Sequence, residues 1–264
     1  MRALYISASG MVAQQMNIDV IANNLANVNT TGFKRGRADF EDLIYQNLRP
    51  VGAAATATTE VPTGIYLGLG SRPVSTAKIF TQGAAKLSGN WTDMAIEGEG
   101  FFQILLPDGT IAYTRAGQFK LNSQGTLVTP DGNPVQPEIT IPQQAVKDTI
   151  NVATDGTVSY RTAGQNNTTQ IAGQLILARF INPQGLEAIG SNLYLESATS
   201  GPPITGIPTS EGFGKTQGGM LEFSNVEIVD ELVNMIFGQR AYEINSKAIQ
   251  TADSMLETAV NVKR

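Results

Sequence analysis

Glu97 and Glu99 are the residues of this sequence that come nearest to a catalytic pair. They lie two positions apart in a segment that the pattern predicts to be a β-strand, so both carboxylates would lie on one face of the strand. A pair of carboxylates on one face could supply the acid and the base for cleavage of a polysaccharide. The alternative is an exposed edge strand, on which the two charges prevent pairing with a strand of another molecule. We favour the strand edge, because the sequence gives no indication of an aromatic-lined cleft beside these residues.

The composition excludes most other catalytic chemistry. The 264 residues contain no histidine and no cysteine, which removes Ser-His-Asp and Cys-His nucleophiles, thiol redox chemistry and nearly all zinc and haem sites. Gly98-Glu99-Gly100 lacks the third glycine and the following helix of a dinucleotide loop, and the Asp-Gly pairs lack the alternating acidic ligands of a calcium loop. We therefore expect no catalytic residue, no cofactor and no bound metal.

Charge and hydropathy narrow the range of partners. Eighteen basic against 23 acidic residues give a formal net charge of −5, so we expect no nucleic-acid partner. A small basic cluster over 34–37 is followed at once by acidic residues over 39–42, which predicts local ion pairing or a contact at a helix end. No stretch of about 18 apolar residues occurs, so we expect no membrane insertion. The first residues also lack the long apolar stretch and cleavage site of a signal peptide.

Both ends of the chain carry helical periodicity. Steps of three and four residues from Met1 meet apolar side chains with one polar interruption, Gln15, which predicts a helix over 3–28 that ends before Gly32. Helical spacing over 226–262 predicts a second, longer helix. Alanines in both stripes favour close packing of helix against helix. The residues expected to mediate self-assembly are Leu4, Ala8, Met11, Ile18, Ala22 and Leu25, then Val229, Val233, Phe237, Ala241, Ile244, Ala248 and Met255.

Between these ends the hydrophobic period shortens to two. Apolar runs over 101–106 and 111–114 flank Pro107-Asp108-Gly109-Thr110, and similar runs with Asp-Gly or Asn-Pro turns follow as far as residue 195. This pattern predicts a barrel or sandwich of antiparallel strands. The fold class is therefore α+β, with long N- and C-terminal helices and a central, mainly antiparallel β domain.

Two segments fit neither pattern. Residues 46–64 have only two charged residues and mostly small side chains, so alone this segment should be extended and mobile. Residues 200–219 are rich in glycine and proline and read as the connector that returns to the last helix. Connectors on both sides predict that the terminal helices sit together.

Several long motifs resemble one family, the flagellar rod and hook proteins of bacteria, from end to end. They lie over residues 23–35, which read NNLANVNTTGFKR, over 98–102 and 113–119, and over 218–226 and 239–247. Within the family the distal rod members are the most similar. The segment 46–64 resembles their characteristic insert, and 264 residues leave no room for the additional outer domain of hook proteins.

The resemblance implies a structural subunit that polymerises into the distal rod, a rigid tubular drive shaft crossing the periplasm and transmitting torque from motor to hook. It implies a terminal coiled-coil domain lining the inner tube (1–33 and 224–264), extended connectors (34–78 and 206–223, with the insert 46–64) and a β-rich outer domain (79–205). The implied partners are further copies of the chain in a helical tube, proximal rod subunits, the hook protein, the surrounding basal-body rings and the export apparatus, through which the chain passes without a cleaved signal peptide.

Three other functions remain open from the sequence. A proximal rod or hook subunit of the same family is the nearest in kind. A β-rich binding protein would use the middle region to hold a ligand. A carboxylate-dependent polysaccharide hydrolase would use Glu97 and Glu99.

Overall fold

The structure, a computed structural model, describes residues 2–51, 62–146, 149–162, 169–210 and 212–262. It has a long helix at each end and antiparallel strands between them, which confirms the α+β class. Helix α1 is Arg2–Ala26 and helix α2 is Ile228–Val262. Each begins and ends within two residues of the bounds that hydrophobic periodicity predicts.

The strands, in chain order among the described residues, are β1 Gly36–Asp42, β2 Tyr45–Arg49, β3 Ile65–Gly68, β4 Ser71–Lys78, β5 Ala85–Leu87, β6 Met94–Glu97, β7 Phe102–Leu105, β8 Ile111–Thr114, β9 Lys120–Leu121, β10 Leu127–Val128, β11 Val135–Gln136, β12 Asn151–Val152, β13 Thr157–Tyr160, β14 Gln170–Gln174, β15 Leu177–Arg179, β16 Glu187–Gly190, β17 Leu193–Leu195, β18 Ile204–Gly206, β19 Lys215–Gly218 and β20 Met220–Glu222. Pro183–Gly185 forms one turn of 3-10 helix.

The chain divides into two compact units. The first, called here the helical unit, contains α1, the segment Gly36–Ala77 and α2. Within it β1 pairs with β4, and β2 pairs with β3 in antiparallel register from Tyr45 opposite Gly68 to Arg49 opposite Ile65. Strand β2 includes the first four residues of the segment 46–64, and β3 begins directly after it. Residues 52–61 of this segment lie outside the described part of the chain.

The second unit, called here the β unit, consists of Asn27–Arg35 and Lys78–Val226. Its largest sheet has five strands in the order β11-β7-β8-β17-β16, and β12, β13 and β14 form a three-stranded sheet. Both are antiparallel. The hairpin β7-β8 turns at Asp108 and Gly109, where Asp108 accepts a hydrogen bond from the Thr110 backbone N–H at 3.0 Å and Gly109 has φ +84°.

Two clusters of apolar side chains form the core of the β unit. The larger contains seventeen buried residues, among them Met94, Phe102, Ile104, Phe119 and Leu127. The smaller is aromatic and combines Phe101, Tyr113, Ala178, Phe180 and Tyr194, with edge-to-face ring contacts such as the 4.7 Å between Tyr113 and Phe180.

A buried ionic cluster lies in the same unit. The Lys34 ammonium is 2.6 Å from the Glu222 carboxylate, whose other oxygen is 3.4 Å from the Arg115 guanidinium. Burial lowers the pKa of Lys34 from its ordinary value, and the charge of Glu222 opposes part of that shift. The local pairing predicted for the basic cluster 34–37 therefore holds for Arg37 with Asp39, at 2.8 Å, but is wrong for Lys34.

Candidate self-assembly surface

The two helices of the helical unit pack antiparallel. Three pairs along their length show this: Gly10 lies against Asn245, Ile18 against Gly238, and Asn24 hydrogen-bonds Glu231 at 3.4 Å. A Cβ at Gly10 would come within 2.9 Å of the Asn245 amide nitrogen, and one at Gly238 within 3.1 Å of Ile18. The close approach of the helices therefore depends on both glycines.

Asn24 fixes the C-terminal end of α1. Its amide oxygen accepts the backbone N–H of Gly36 at 2.8 Å and its amide nitrogen donates to the Gly36 carbonyl at 2.9 Å. The same nitrogen reaches the carboxylate of Glu231, which is completely buried at the start of α2. One amide thus ties together α1, α2 and the first residue of β1.

Small and polar residues dominate the surface that the helices bury. The buried residues are Ser7, Ala13, Ile21 and Asn24 on α1 and Glu231, Gly238 and Ala252 on α2. Only one of these, Ile21, is a large apolar side chain. Other large apolar side chains of α1, such as Ile18 and Leu25, are only half-buried, so the pairing removes just part of their surface from water.

The predicted self-assembly residues of α2 lie mainly outside this contact. At 100° per residue, their row is displaced by roughly 100° around the helix from the row that contains Glu231, Gly238 and Ala252. Ala241 is half-buried and Ala248 is exposed. The five large apolar side chains of the row are exposed, and they are called here the outer stripe: Val229, Val233, Phe237, Ile244 and Met255.

On α1 the predicted residues are less exposed. Leu4, Met11, Ile18 and Leu25 are half-buried, and Ala8 and Ala22 are exposed. Of these, Ile18 contacts α2 at Gly238. The polar residues Asn24 and Glu231 were missed by the sequence pattern, which follows apolar spacing. The asparagines of α1 were a usable signal, since they are poor helix formers and need another reason to be there.

The outer stripe has the character of an interface. Phe237 is 68% exposed and Ile244 66%, and Tyr5 and Val12 on α1 are each 60% exposed. Scattered surface leucines need no explanation, but large apolar side chains repeated along one helix are typical of a surface that another protein covers.

Glu97 and Glu99 are not arranged as a catalytic pair. Glu97 ends β6 opposite Lys215, whose ammonium is 3.2 Å from its carboxylate, and it also accepts a hydrogen bond from the Gln217 amide. Glu99 follows Gly98, whose φ of +109° interrupts the strand, and lies 3.8 Å from Arg179. Each carboxylate therefore has a separate cation as its neighbour, as expected for residues at a charged strand edge.

Within the described ranges, no cluster of acidic residues could hold a metal ion. The helices of the same ranges include none that is long and apolar enough to cross a membrane.

Three family models match the sequence. "Flagella basal body rod protein" matches residues 4–34, "Flagellar hook protein FlgE/F/G D1 domain" matches residues 95–160, and "Flagellar basal body rod FlgEFG protein C-terminal" matches residues 217–262. The first and third matches contain most of α1 and α2, and the second contains β7 to β13.

Full-length relatives are rod proteins. The flagellar basal-body rod protein FlgG of Borreliella burgdorferi is 54% identical over 100% of this chain and 99% of its own length. FlgG of Caulobacter vibrioides is 47% identical over 100% of both chains. The flagellar hook protein FlgE of Treponema pallidum is 46% identical over 49% of this chain but only 28% of its own length. Similarity therefore runs end to end with the rod proteins and only in part with the hook protein.

Proposed function

This chain belongs to the family of flagellar basal-body rod proteins and is a structural subunit of the distal rod; we propose that it builds the rod by polymerising through its two helices. In the polymer the helices form a coiled coil that lines the inner tube. The division into a terminal helical domain (1–33 and 224–264), connectors (34–78 and 206–223) and an outer β domain (79–205) is part of this proposal.

The outer stripe is the observation that carries the proposal. Val229, Val233, Phe237, Ile244 and Met255 are 45% to 68% exposed on one helix. Covering them with neighbouring copies would remove apolar surface from water at about 25 cal/mol per Å². Helix α1 contributes Leu4, Ala8, Met11, Ile18, Ala22 and Leu25 to the same assembly.

The geometry of such a contact leads to a tube. The helix pair has no internal symmetry, so a patch on one copy meets a different patch on the next. A contact of this kind, repeated with a rise and a rotation, does not close on itself and generates a helical polymer. A polymer whose every subunit is held by several neighbours can carry torque.

Assembly and helix order are coupled in this proposal. The helix pair fully buries one large apolar side chain, Ile21, and leaves others half-buried, so we expect its stability in the monomer to be small. Neighbouring copies that bind only the ordered helices stabilise them by mass action.

Further parts of the proposal concern the surroundings of the rod. The similarity to rod and hook proteins supports assembly with other flagellar components. We propose proximal rod subunits, the hook protein and the basal-body rings as neighbours, and passage through the flagellar export apparatus without a cleaved signal. We also propose that the segment 46–64, together with the paired strands β2 and β3 at its two ends, stiffens the rod. An enzymatic activity is not proposed, because the family is a structural one.

A matched pair of isoleucines tests the role of the outer stripe. Ile244 on α2 is 66% exposed and Ile171 on β14 is 69% exposed, so an aspartate at either position disturbs the isolated fold to a similar, small degree. Burying one such side chain is worth about 1.5 to 3 kcal/mol. Ile244→Asp should therefore raise the concentration needed for polymerisation by about tenfold or more, whereas Ile171→Asp should not.

The measurement is sedimentation and electron microscopy of the purified full chain over a concentration series, with circular dichroism to check the fold. Leu25→Asp on α1 should behave as Ile244→Asp does. Polymers of normal length at normal concentration from Ile244→Asp would show that the outer stripe is not the contact between copies.

A further inference from the structure

A small cavity in the β unit lies beside the aromatic cluster. Its volume is about 180 Å³. The walls combine aromatic rings with two guanidinium groups and one carboxylate, contributed by Phe80, Phe101, Phe180, Arg115, Arg179 and Glu99.

Arg115 has hydrogen-bonding capacity that the fold does not use. Its side chain is 5% exposed, and its terminal nitrogens donate to the carbonyls of Gly98 at 2.7 Å and Ile96 at 3.4 Å and to Glu222 at 3.4 Å. Its Nε is buried and makes no hydrogen bond with any residue that the structure describes. A guanidinium has five N–H groups in a fixed plane, so a buried one with an unused donor stays unsatisfied until a further acceptor reaches it.

The charges around the cavity do not balance. Glu222 lies 2.6 Å from Lys34 and also faces Arg115, so one carboxylate serves two buried cations. Arg179 and Glu99 form the solvent-exposed rim of the cavity, and the Arg179 guanidinium lies 3.8 Å from the Glu99 carboxylate. Lys34 and Glu222 are not part of the cavity lining, but counted together with it they give three cations against two carboxylates, an excess of one positive charge. A buried charge without a counter-charge is costly, and an anion that enters the cavity would relieve that cost.

We propose that this cavity binds a carboxylate carried on a small apolar group. The guanidinium groups of Arg115 and Arg179 hold the carboxylate, and the rings of Phe80, Phe101 and Phe180 contact the apolar part. The same chemistry is offered by a free carboxylic acid and by an acidic side chain of a neighbouring copy. The proposal does not depend on polymerisation, since the cavity is complete within one β unit.

Benzoate is the probe, and benzamide is the neutral control of the same shape. We expect benzoate to shift the ¹⁵N and ¹H resonances of the Arg115 Nε–H group of the monomeric full chain in a saturable way, with a dissociation constant of about 1 mM, as suits so small a ligand. Benzamide should shift them at least tenfold more weakly, because charge-assisted hydrogen bonds are about twice as strong as neutral ones.

Rim variants give effects of opposite sign. Arg179→Gln removes one guanidinium and should weaken benzoate binding by about tenfold. Glu99→Gln removes the competing carboxylate and should tighten binding by a few-fold. Lys120→Gln is the matched control, since it removes an exposed cation on β9, away from the cavity lining, and should leave binding unchanged.

The source of the natural carboxylate is decided with assembled rods. If a neighbouring copy supplies it, benzoate binds the monomer but is excluded from the polymer. If a free acid is the ligand, benzoate binds both. Absence of any shift in the monomer, or equal shifts with benzoate and benzamide, would overturn the proposal whatever the state of polymerisation.

Discussion

Replacing Glu222 by glutamine should destabilise the β unit far more than any exposed charge change. The Glu222 carboxylate accepts three hydrogen bonds. The donors are the Lys34 ammonium at 2.6 Å, the backbone N–H of Gly83 at 3.0 Å and the Arg115 guanidinium at 3.4 Å. Its side chain is 1% exposed, and those of Lys34 and Arg115 are 0% and 5%. Glutamine keeps the shape of the side chain but removes the only anion that faces both cations in this cluster of described residues.

The loss of stability depends on the two buried cations that remain after the substitution. Breaking a buried ion pair by removing one partner costs about 3 to 5 kcal/mol, because the other partner stays buried without its counter-charge. For a unit of this size, each kcal/mol lowers the melting temperature by about 2 to 4 °C. We therefore expect Glu222→Gln to lower the melting temperature of the β unit by about 6 to 20 °C.

Glu97→Gln is the matched control. Glu97 also pairs with a lysine, Lys215 at 3.2 Å, but both side chains are 46% exposed. Exposed pairs contribute about 0 to 1 kcal/mol, so this variant should melt within a few degrees of the wild type. Thermal unfolding of dilute, unassembled protein, followed by near-UV circular dichroism, measures both. Equal melting temperatures for Glu222→Gln and Glu97→Gln would show that the buried ionic cluster does not stabilise the β unit more than an exposed ion pair does.

Two further predictions concern the aromatic cluster and the helix junction. Burial raises the pKa of Tyr194 from 10.0 to about 12. Between these pH values the unfolded chain loses a proton that the folded chain keeps, so the free energy of unfolding falls as pH rises, by about 2.7 kcal/mol in all. Tyr194→Phe should lose this decline in unfolding titrations from pH 9 to 12, and a decline as steep as that of the wild type would contradict the assignment. Asn24→Ala removes both hydrogen bonds to Gly36 and should cost the helical unit about 2 kcal/mol. Hydrogen exchange of α1 measures this cost, with Gln15→Ala, on the exposed side of the helix, as the control; equal protection in the two variants would show that the Asn24 amide does not hold the junction.

Local periodicity predicted the elements of this fold well. The helices α1 and α2 extend over nearly the predicted residues, and the predicted run 111–114 is β8. These patterns are local, because apolar residues repeat every two positions in a strand and every 3.6 positions in a helix, whatever the rest of the sequence. The turn at Asp108 and Gly109 was predictable for the same reason, as its hydrogen bond spans two residues.

Contacts between distant residues were not predictable in this way. Lys34 and Glu222 are 188 positions apart, and Asn24 and Glu231 are 207 apart. Hydrophobic periodicity gives no information about contacts at such separations, so the sequence pattern paired Lys34 with the acidic residues that follow it directly. In the folded chain Lys34 is buried and pairs with Glu222 instead.

The faces of the helices show where apolar spacing reaches its limit. The periodicity gives an apolar row on α2 but could not tell whether α1 or another molecule covers it. Gly10, Gly238 and Asn245, which make the close helix contact, are small or polar and do not contribute to an apolar pattern. The role of the outer stripe in self-assembly remains a prediction.

Hydrogen exchange of α1 and α2, compared between dilute monomer and assembled rods of the full chain, tests whether assembly orders the two helices. We expect rapid amide exchange in both helices before assembly and strong protection afterwards, with the core strands β7 and β8 protected in both states. Helices that are fully protected in the dilute monomer, or a chain that stays monomeric at every concentration, would contradict it.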